Sequence, residues 1–501
     1  MIRRNAIANM LGRAWGVLSV YLFLPVYVDL LGVSAFGLVG FYTTLLGVLA
    51  FADLGFTATL NREMARLAVL PDAGQQMRTL VRTYEMCYLV LATGIGALIW
   101  LLAPAIAADW LNTGTLAHAE VVLAIRVMGL AVACQLPTSL YIGGLTGLQL
   151  QVNVNLLQVL WGIYRGVGSV LALSILSPTI VVFAFAQLLA NAVYLLAARR
   201  AIWHCGALDG PERARFSWGA LTSSWRYSAG MAGMAVISIS LTQLDKLVVS
   251  KMLPLADLGY YTLAGTLAAV PMMLASPLAV AVFPRMTALV AVGDSVAFAT
   301  LYMRTSTLVA ALVVPGTLAI ALFAAEFLSA WTGNPAAGAA AGQAGGLLLL
   351  GQLLQALTIV PYYVALAHGN VALNLRIGVI SAVLLLPLLL LTVRHGGLDG
   401  AALAWLLLNL CVFPPYMYFL HRRFVPGYLG PWLARVVLLP TATALPPLLL
   451  ARLVYPAGLN RFSVIAYIIV AAGAACACTL AAMPAARQFI IQQFPFSWRR
   501  A

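Results

Sequence analysis

Fourteen apolar stretches of about 20 residues run through this chain, at 8–28, 36–58, 83–106, 121–143, 153–176, 179–198, 227–249, 258–282, 301–323, 343–367, 371–393, 398–420, 431–451 and 462–483. A helix rises about 1.5 Å per residue, so about 20 apolar residues cross the roughly 30 Å of bilayer hydrocarbon. Inside lipid each backbone N–H and C=O must be satisfied within the segment, which leaves such stretches one solution, the helix. Of the 501 residues, 63% are hydrophobic and only 8% charged. The mean hydropathy is +0.98. That is too little charge to cover a soluble molecule of this length. The chain is therefore expected to be an all-α integral membrane protein of about fourteen transmembrane helices, joined by short links with no room for a large extramembrane domain. Its opening, "MIRRNAIANMLGRAWGVLSVYLFLPVYV", starts like a signal peptide. The apolar run continues to Val28 without a small-residue cleavage site, so it reads as a retained first helix.

The charges set orientation. One set of helix ends and loops carries nineteen arginines, from Arg3, Arg4, Arg62 and Arg66 through Arg199, Arg200, Arg422 and Arg423 to Arg499 and Arg500. The other set carries only Lys251, Arg394, Arg452 and Arg461. Cytoplasmic loops hold the excess of Lys and Arg, so the first set is expected inside, with both termini. The formal net charge of +14 is then explained by topology and anionic lipid, with no need for a nucleic-acid partner. The six cysteines lack disulfide or metal-ligand spacing, and the five histidines fall in loops or at helix ends. No P-loop, nucleophile elbow or acidic metal motif occurs, so no enzyme is read here. Energy for transport is expected from an ion gradient, H+ or Na+, or from the substrate's own gradient, with no cofactor.

An internal repeat organises the chain. An offset of 222 positions carries Gly37 onto Gly259, Leu45 onto Leu267, Met64 onto Met286, Gly129 onto Gly351, Gly147 onto Gly369 and Arg200 onto Arg422. The basic strings "NREMARL" and "FPRMTAL" fall in register. We read residues 1–203 as one six-helix bundle, 204–226 as a cytoplasmic linker, 227–425 as a second bundle, and 426–501 as two further helices and a tail. An even number of helices per repeat gives both bundles the same orientation, related by a pseudo-two-fold along the membrane normal. Two such bundles suit alternating access to a central cavity.

Arg165 is the strongest single signal. In the fifth stretch Asn155, Gln158, Gly162, Arg165 and Ser169 recur at intervals of three and four and share one face. An arginine at mid-membrane costs at least about 3 kcal/mol if it faces lipid, so it points to a wet cavity, an anion, or carbonyls at a helix contact. Arg13 sits on a similar face of the first stretch, with Asn5, Asn9, Gly12 and Gly16. It faces the cavity or snorkels to the near surface, and Arg126 is equally open between the two. Asp245 and Lys246 lie about 100° apart on their helix, too far round to pair with each other. They join two polar strips, and a rim of the periplasmic mouth or a snorkelling pair both fit. Asp29 and Lys251 are repeat mates of opposite charge, a candidate periplasmic gate. Asp53, in "FADLGF", is either a cap on a local bend or a coupling group.

The stretch "LPVYVDLLGVSAFGLVGFYTTLLGVLAFADLGFTATLNREMARL" (24–67) resembles the opening of the Wzx-type polysaccharide-transporter branch of the multidrug/oligosaccharidyl-lipid/polysaccharide exporter superfamily. The "LG…FG" turn, the "ADLG" string and the basic "NREMARL" carry the resemblance, and "QLDKLVVSKMLPLADLGYYTLA" is similar to its second-half counterpart. The resemblance implies a flippase that turns an undecaprenyl-diphosphate-linked oligosaccharide (an O-antigen, capsule or exopolysaccharide repeat unit) across the bacterial cytoplasmic membrane. It implies a cationic cavity, for which Arg165, Arg13, Arg126, Asn155 and Gln158 are the candidates, and other polysaccharide-assembly proteins as partners. Two relatives of the same superfamily are the alternatives: a lipid II flippase of the MurJ type and a drug/cation antiporter. The characteristic arginine motifs of the first are not evident in the first helix, and the second favours acidic cavity residues. A membrane polymerase or ligase would carry a large periplasmic loop, which this chain lacks.

Overall fold

In the computed structural model, residues 2–71, 73–114, 116–208 and 214–483 are described, and side chains at 2–11, 13, 14, 17, 220, 223–235 and 237 lie outside the description. Helix dominates, and no strand occurs among the described residues. In chain order the helices are α1 (Ile2–Leu31), α2 (Val33–Leu49), α3 (Phe56–Leu67), α4 (Gly74–Ala105), α5 (His118–Gly147), α6 (Gln151–Ile175), α7 (Ile180–Trp203), α8 (Trp218–Met252) and α9 (Leu255–Ala268). They continue with α10 (Val270–Val292), α11 (Ser295–Leu322), α12 (Ala324–Thr332), α13 (Pro335–Ala367), α14 (Val371–Phe424), α15 (Leu429–Trp432), α16 (Leu439–Leu453) and α17 (Arg461–Ala482).

Among the described residues, eleven helical stretches are long and apolar enough to cross a membrane. One of them, α14, holds two of the expected spans. Its 54 residues are interrupted at Gly397, whose φ of 55° and ψ of −129° lie where side chains are essentially excluded. With α1 and α8 included, each of the fourteen expected stretches has a helix. The breaks also repeat in register. Val33 and Leu255, 222 positions apart, both begin helices, and the end of α6 at Ile175 corresponds to the break at Gly397.

The chain divides into two compact units, Met1–Gly259 and Tyr260–Ala501. In the first, a core of Leu60, Met64, Tyr84, Tyr88, Leu140 and Ile202 joins α3, α4, α5 and α7. α8, which the repeat register assigns to the second bundle, packs in this unit. A Cβ on Gly47 of α2 would meet the Gln243 side chain of α8, and Ser250 accepts a hydrogen bond from the Trp110 indole at 3.0 Å. In the second unit, Tyr302, Val313, Leu357, Val364, Leu420 and Trp432 form the main core. The appended α16 and α17 pack through Ala444, Leu448, Ala471 and Ala475 against Ala319 of α11. Arg452 at the end of α16 is paired with Glu326 of α12, and Arg461 at the start of α17 donates to the Trp331 carbonyl at 3.4 Å.

Candidate functional site

A cavity of about 490 Å³ opens within the first unit. α1 contributes Gly12, Trp15, Gly16, Ser19 and Val20, α5 contributes Gln135, Thr138, Ser139 and Ile142, α6 contributes Gln158, Trp161, Gly162 and Arg165, and α7 contributes Tyr194. The wall is thus aromatic and hydroxyl- or amide-bearing, with one cationic group, Arg165, among the described residues.

Close helix packing places that cation. Gly162 meets the Trp15 indole and Gly166 meets the Phe23 ring, so α1 approaches α6 closely along a glycine face. Tyr27 of α1 donates toward the Arg165 and Gly166 carbonyls at 3.5 and 3.4 Å, fixing the backbone there. The Arg165 side chain, one turn from Trp161, lies with its guanidinium carbon 4.8 Å from the indole centroid. Trp161 stacks on Tyr194, with centroids 5.0 Å apart and planes at 18°. None of the ion pairs among the described residues involves Arg165. A guanidinium braced by an aromatic face keeps its in-plane N–H donors for a planar or tetrahedral anion.

The other expected site residues are dispersed. Gln158 lines the same cavity. Asn155 is buried below it, donating to the Gln151 carbonyl at 2.7 Å with its carboxamide against Gly12. The Arg13 side chain lies outside the described residues. Arg126 is not on the cavity wall. It donates from Nε to the Trp100 carbonyl at 3.4 Å and stacks on the Trp100 ring at 5.1 Å. That carbonyl is the one left without its helical donor because Pro104, four residues on, has no N–H. The helix then widens to a π turn over Ile106–Trp110.

Asp53 closes a break. α2 ends in a 3-10 turn, Ala50–Asp53, and Leu54 and Gly55 take left-handed conformations at φ 49° and 73° before α3 begins. The carboxylate accepts the Thr57 N–H at 3.4 Å, which is the capping role. It also accepts hydrogen bonds from the Thr57 and Tyr88 hydroxyls. Thr57 Oγ1 lies 3.3 Å from Ser139 Oγ, and Ser139 is a cavity residue. A line of hydroxyls therefore joins Asp53 to the cavity wall.

At the opposite end of the unit, Lys251 donates to the Asp109 carbonyl and sits 5.5 Å from the Trp110 ring. Its expected mate Asp29 is exposed on α1 and is in no ion pair among the described residues. Asp245 and Lys246 are both half-buried on α8, and the ion pairs do not join them to each other.

Sequence reasoning missed Glu85. It is 8% exposed in α4 and accepts from Arg82, Arg199 and Tyr141, each at 2.7 Å. An acid one turn from an arginine is a visible signal, but Arg199 and Tyr141 reach it only through folding. Trp161 was also missed. Its spacing of four from Arg165 was the available clue.

The fold has known counterparts. An inward closed conformation of MurJ, a lipid II flippase, matches with a TM-score of 0.68 at 14% identity, over 97% of this chain and 99% of that one. An inward-facing multidrug resistance MATE family transporter of the MOP superfamily matches with a TM-score of 0.66 at 14% identity, over 82% and 95%. A MOP superfamily transporter from Pyrococcus furiosus matches at 0.57 and 16%, over 86% and 96%. At these identities the likeness is one of fold, that of MOP superfamily transporters. No curated protein matches the sequence. The family model described as polysaccharide biosynthesis protein matches residues 2–290, more than half of the chain. The chain is a member of the polysaccharide biosynthesis protein family.

Proposed function

We propose that the protein is a flippase for an undecaprenyl-diphosphate-linked oligosaccharide, moving its head group from the inner to the outer leaflet of the bacterial cytoplasmic membrane by alternating access. The single observation that carries this reading is Arg165, a cation in an aromatic and amide-lined cavity, in a chain of the polysaccharide biosynthesis family. A guanidinium takes two oxygens of a diphosphate, and Gln135, Gln158, Thr138 and Ser139 offer donors and acceptors suited to sugar hydroxyls. The lipid tail stays in the bilayer while the head group crosses. Both termini are cytoplasmic in this reading, and the proteins that build and polymerise the oligosaccharide are its functional partners. Asp53 is the coupling group, taking H+ or Na+, because its hydroxyl line ends at the cavity.

A second reading, translocation of lipid II, is supported by the match to the MurJ fold over 97% of this chain. Both substrates present a polyprenyl diphosphate to the same arginine and differ in the attached sugars.

The test is a leaflet-accessibility assay with purified protein and lipid-linked oligosaccharide in liposomes. Wild type is expected to translocate, and Arg165→Ala to lose at least about tenfold in rate, the scale of a lost charge-assisted contact. No translocation by wild type overturns the flippase reading. Undiminished translocation by the variant removes Arg165 from the site. Lipid II offered in the same assay separates the two substrates.

A further inference from the structure

The cavity cation is one end of a continuous brace. Trp161, whose ring carries Arg165 on a face, donates from Nε1 to Asn191 Oδ1 at 3.1 Å. Asn191 is 1% exposed, and its amide nitrogen donates to the Tyr42 hydroxyl and the Ala131 carbonyl, each at 3.0 Å, with Gln135 Oε1 at 3.4 Å. Tyr194, one turn along α7 from Asn191, stacks on the same indole. A single buried carboxamide therefore ties α2, α5, α6 and α7 together at the level of the guanidinium. It also touches Gln135, a second polar group of the cavity wall.

A part-buried indole N–H needs an acceptor in any case, and here that acceptor, Asn191, also reaches Gln135 of the cavity lining, so the bond that satisfies the donor also fixes the angle of the ring. An arginine on a helix also has enough rotamers to leave the cavity, and holding it costs side-chain entropy unless a partner fixes it. The stack and the keyed indole meet that cost before a ligand arrives, which is preorganisation.

We propose that Trp161 and Asn191 are positioning residues that hold the Arg165 guanidinium aimed into the cavity for a diphosphate group. Trp161 supplies the face, and Asn191 sets the angle of that face relative to Gln135. This rests on the reading of Arg165 as the diphosphate contact. It goes beyond that reading by assigning the affinity to a preset geometry rather than to charge alone. Lysine at 165 keeps the charge, yet it has no planar fork to stack or to bind two oxygens, so it is expected to bind weakly whatever stands at 161.

The experiment measures binding of inorganic diphosphate to the purified full-length protein by calorimetry, with melting temperature recorded for each variant. Trp161→Leu is expected to raise Kd about tenfold, the scale of a desolvated cation–π contact. Trp161→Phe keeps a ring face but loses the indole donor and is expected to fall between, at about threefold. In an Arg165→Lys background, Trp161→Leu is expected to add less than about twofold, because a residue that acts through Arg165 has nothing left to position. Trp161→Leu in the translocation assay is expected to raise KM by a larger factor than it lowers the maximal rate. Fully additive effects of the two substitutions overturn the proposal, as does a lowered melting temperature with unchanged Kd. So does a wild type that binds no diphosphate. A wild type that binds diphosphate in a Trp161-dependent manner but translocates no lipid-linked oligosaccharide leaves the positioning intact and removes the substrate reading.

Discussion

Where Gly37 of α2 faces Leu255, a methyl group in place of its hydrogen would collide with the Leu255 carbonyl oxygen. The obstacle is backbone and does not rotate away. Gly37→Ala is therefore expected to lower stability by about 1–3 kcal/mol, read as a fall in melting temperature in detergent. Gly16 is the control, because a methyl group there would meet nothing within 4 Å, and alanine inside this helix is expected to keep the melting temperature or raise it slightly. The same single-residue logic separates the arginines. Arg165 was legible in the sequence because a mid-membrane charge is costly and must have a reason. Arg126 carries the same charge and the same apolar surroundings, yet it answers the carbonyl that Pro104 leaves open. That role belongs to two helices at once, and no spacing along either one discloses it.

Between elements, polar groups inside the first unit do the joining. Glu85 of α4 holds Arg82 one turn away, Arg199 of α7 and Tyr141 of α5. Removing the acid leaves three donors without their acceptor. Glu85→Ala is expected to cost about 2–4 kcal/mol, moderated because Arg199 is half exposed to solvent. Thermal unfolding measures it, and Arg199→Ala in the Glu85→Ala background is expected to add little further loss. Asp53 presents a different case, since capping and coupling use the same carboxylate. Asn is as good a cap as Asp but carries no charge. Asp53→Asn is expected to keep the stability within about 1 kcal/mol of wild type, read by melting temperature, and to permit downhill exchange of substrate. Its transport rate in liposomes is expected to lose its dependence on an imposed pH or sodium gradient. Retention of that dependence leaves Asp53 as a cap alone.

At the level of the whole molecule, the distribution of arginines predicts which loops face the cytoplasm. In a variant without its native cysteines, a cysteine at Leu70 is expected to resist a membrane-impermeant thiol reagent in intact cells, and one at Gly458 is expected to react. The reverse pattern overturns the orientation. The two sequence repeats share a register of 222, visible in the matched helix starts at Val33 and Leu255. They differ in what occupies equivalent places. Arg82, Glu85 and Arg199 of the first unit correspond in that register to Arg304, Thr307 and His421 of the second. There His421 lies 3.0 Å from the Tyr302 hydroxyl, so a histidine–tyrosine contact stands where Arg199 meets Glu85 in the first unit. Arg165 itself corresponds to Pro387 in that register, so the cavity arginine has no basic counterpart at the equivalent position.

The sequence by itself determined the helices, their number and the repeat, because length and apolarity are local quantities and a bilayer admits one backbone solution for them. It also marked Arg165, since the cost of a buried charge can be read without knowing its neighbours. Only the tertiary structure decided what Arg165 belongs to. Its cavity takes residues from Gly12 to Tyr194 on four helices, and its brace runs through Asn191 to Tyr42 and Gln135. The same is true of Lys251, which donates to the Asp109 backbone carbonyl beside the Trp110 ring. A polar side chain in an apolar helix announces that it needs a partner. Which partner it finds depends on close approach between helices, set by glycines such as Gly162 and Gly166 facing rings far away in the chain.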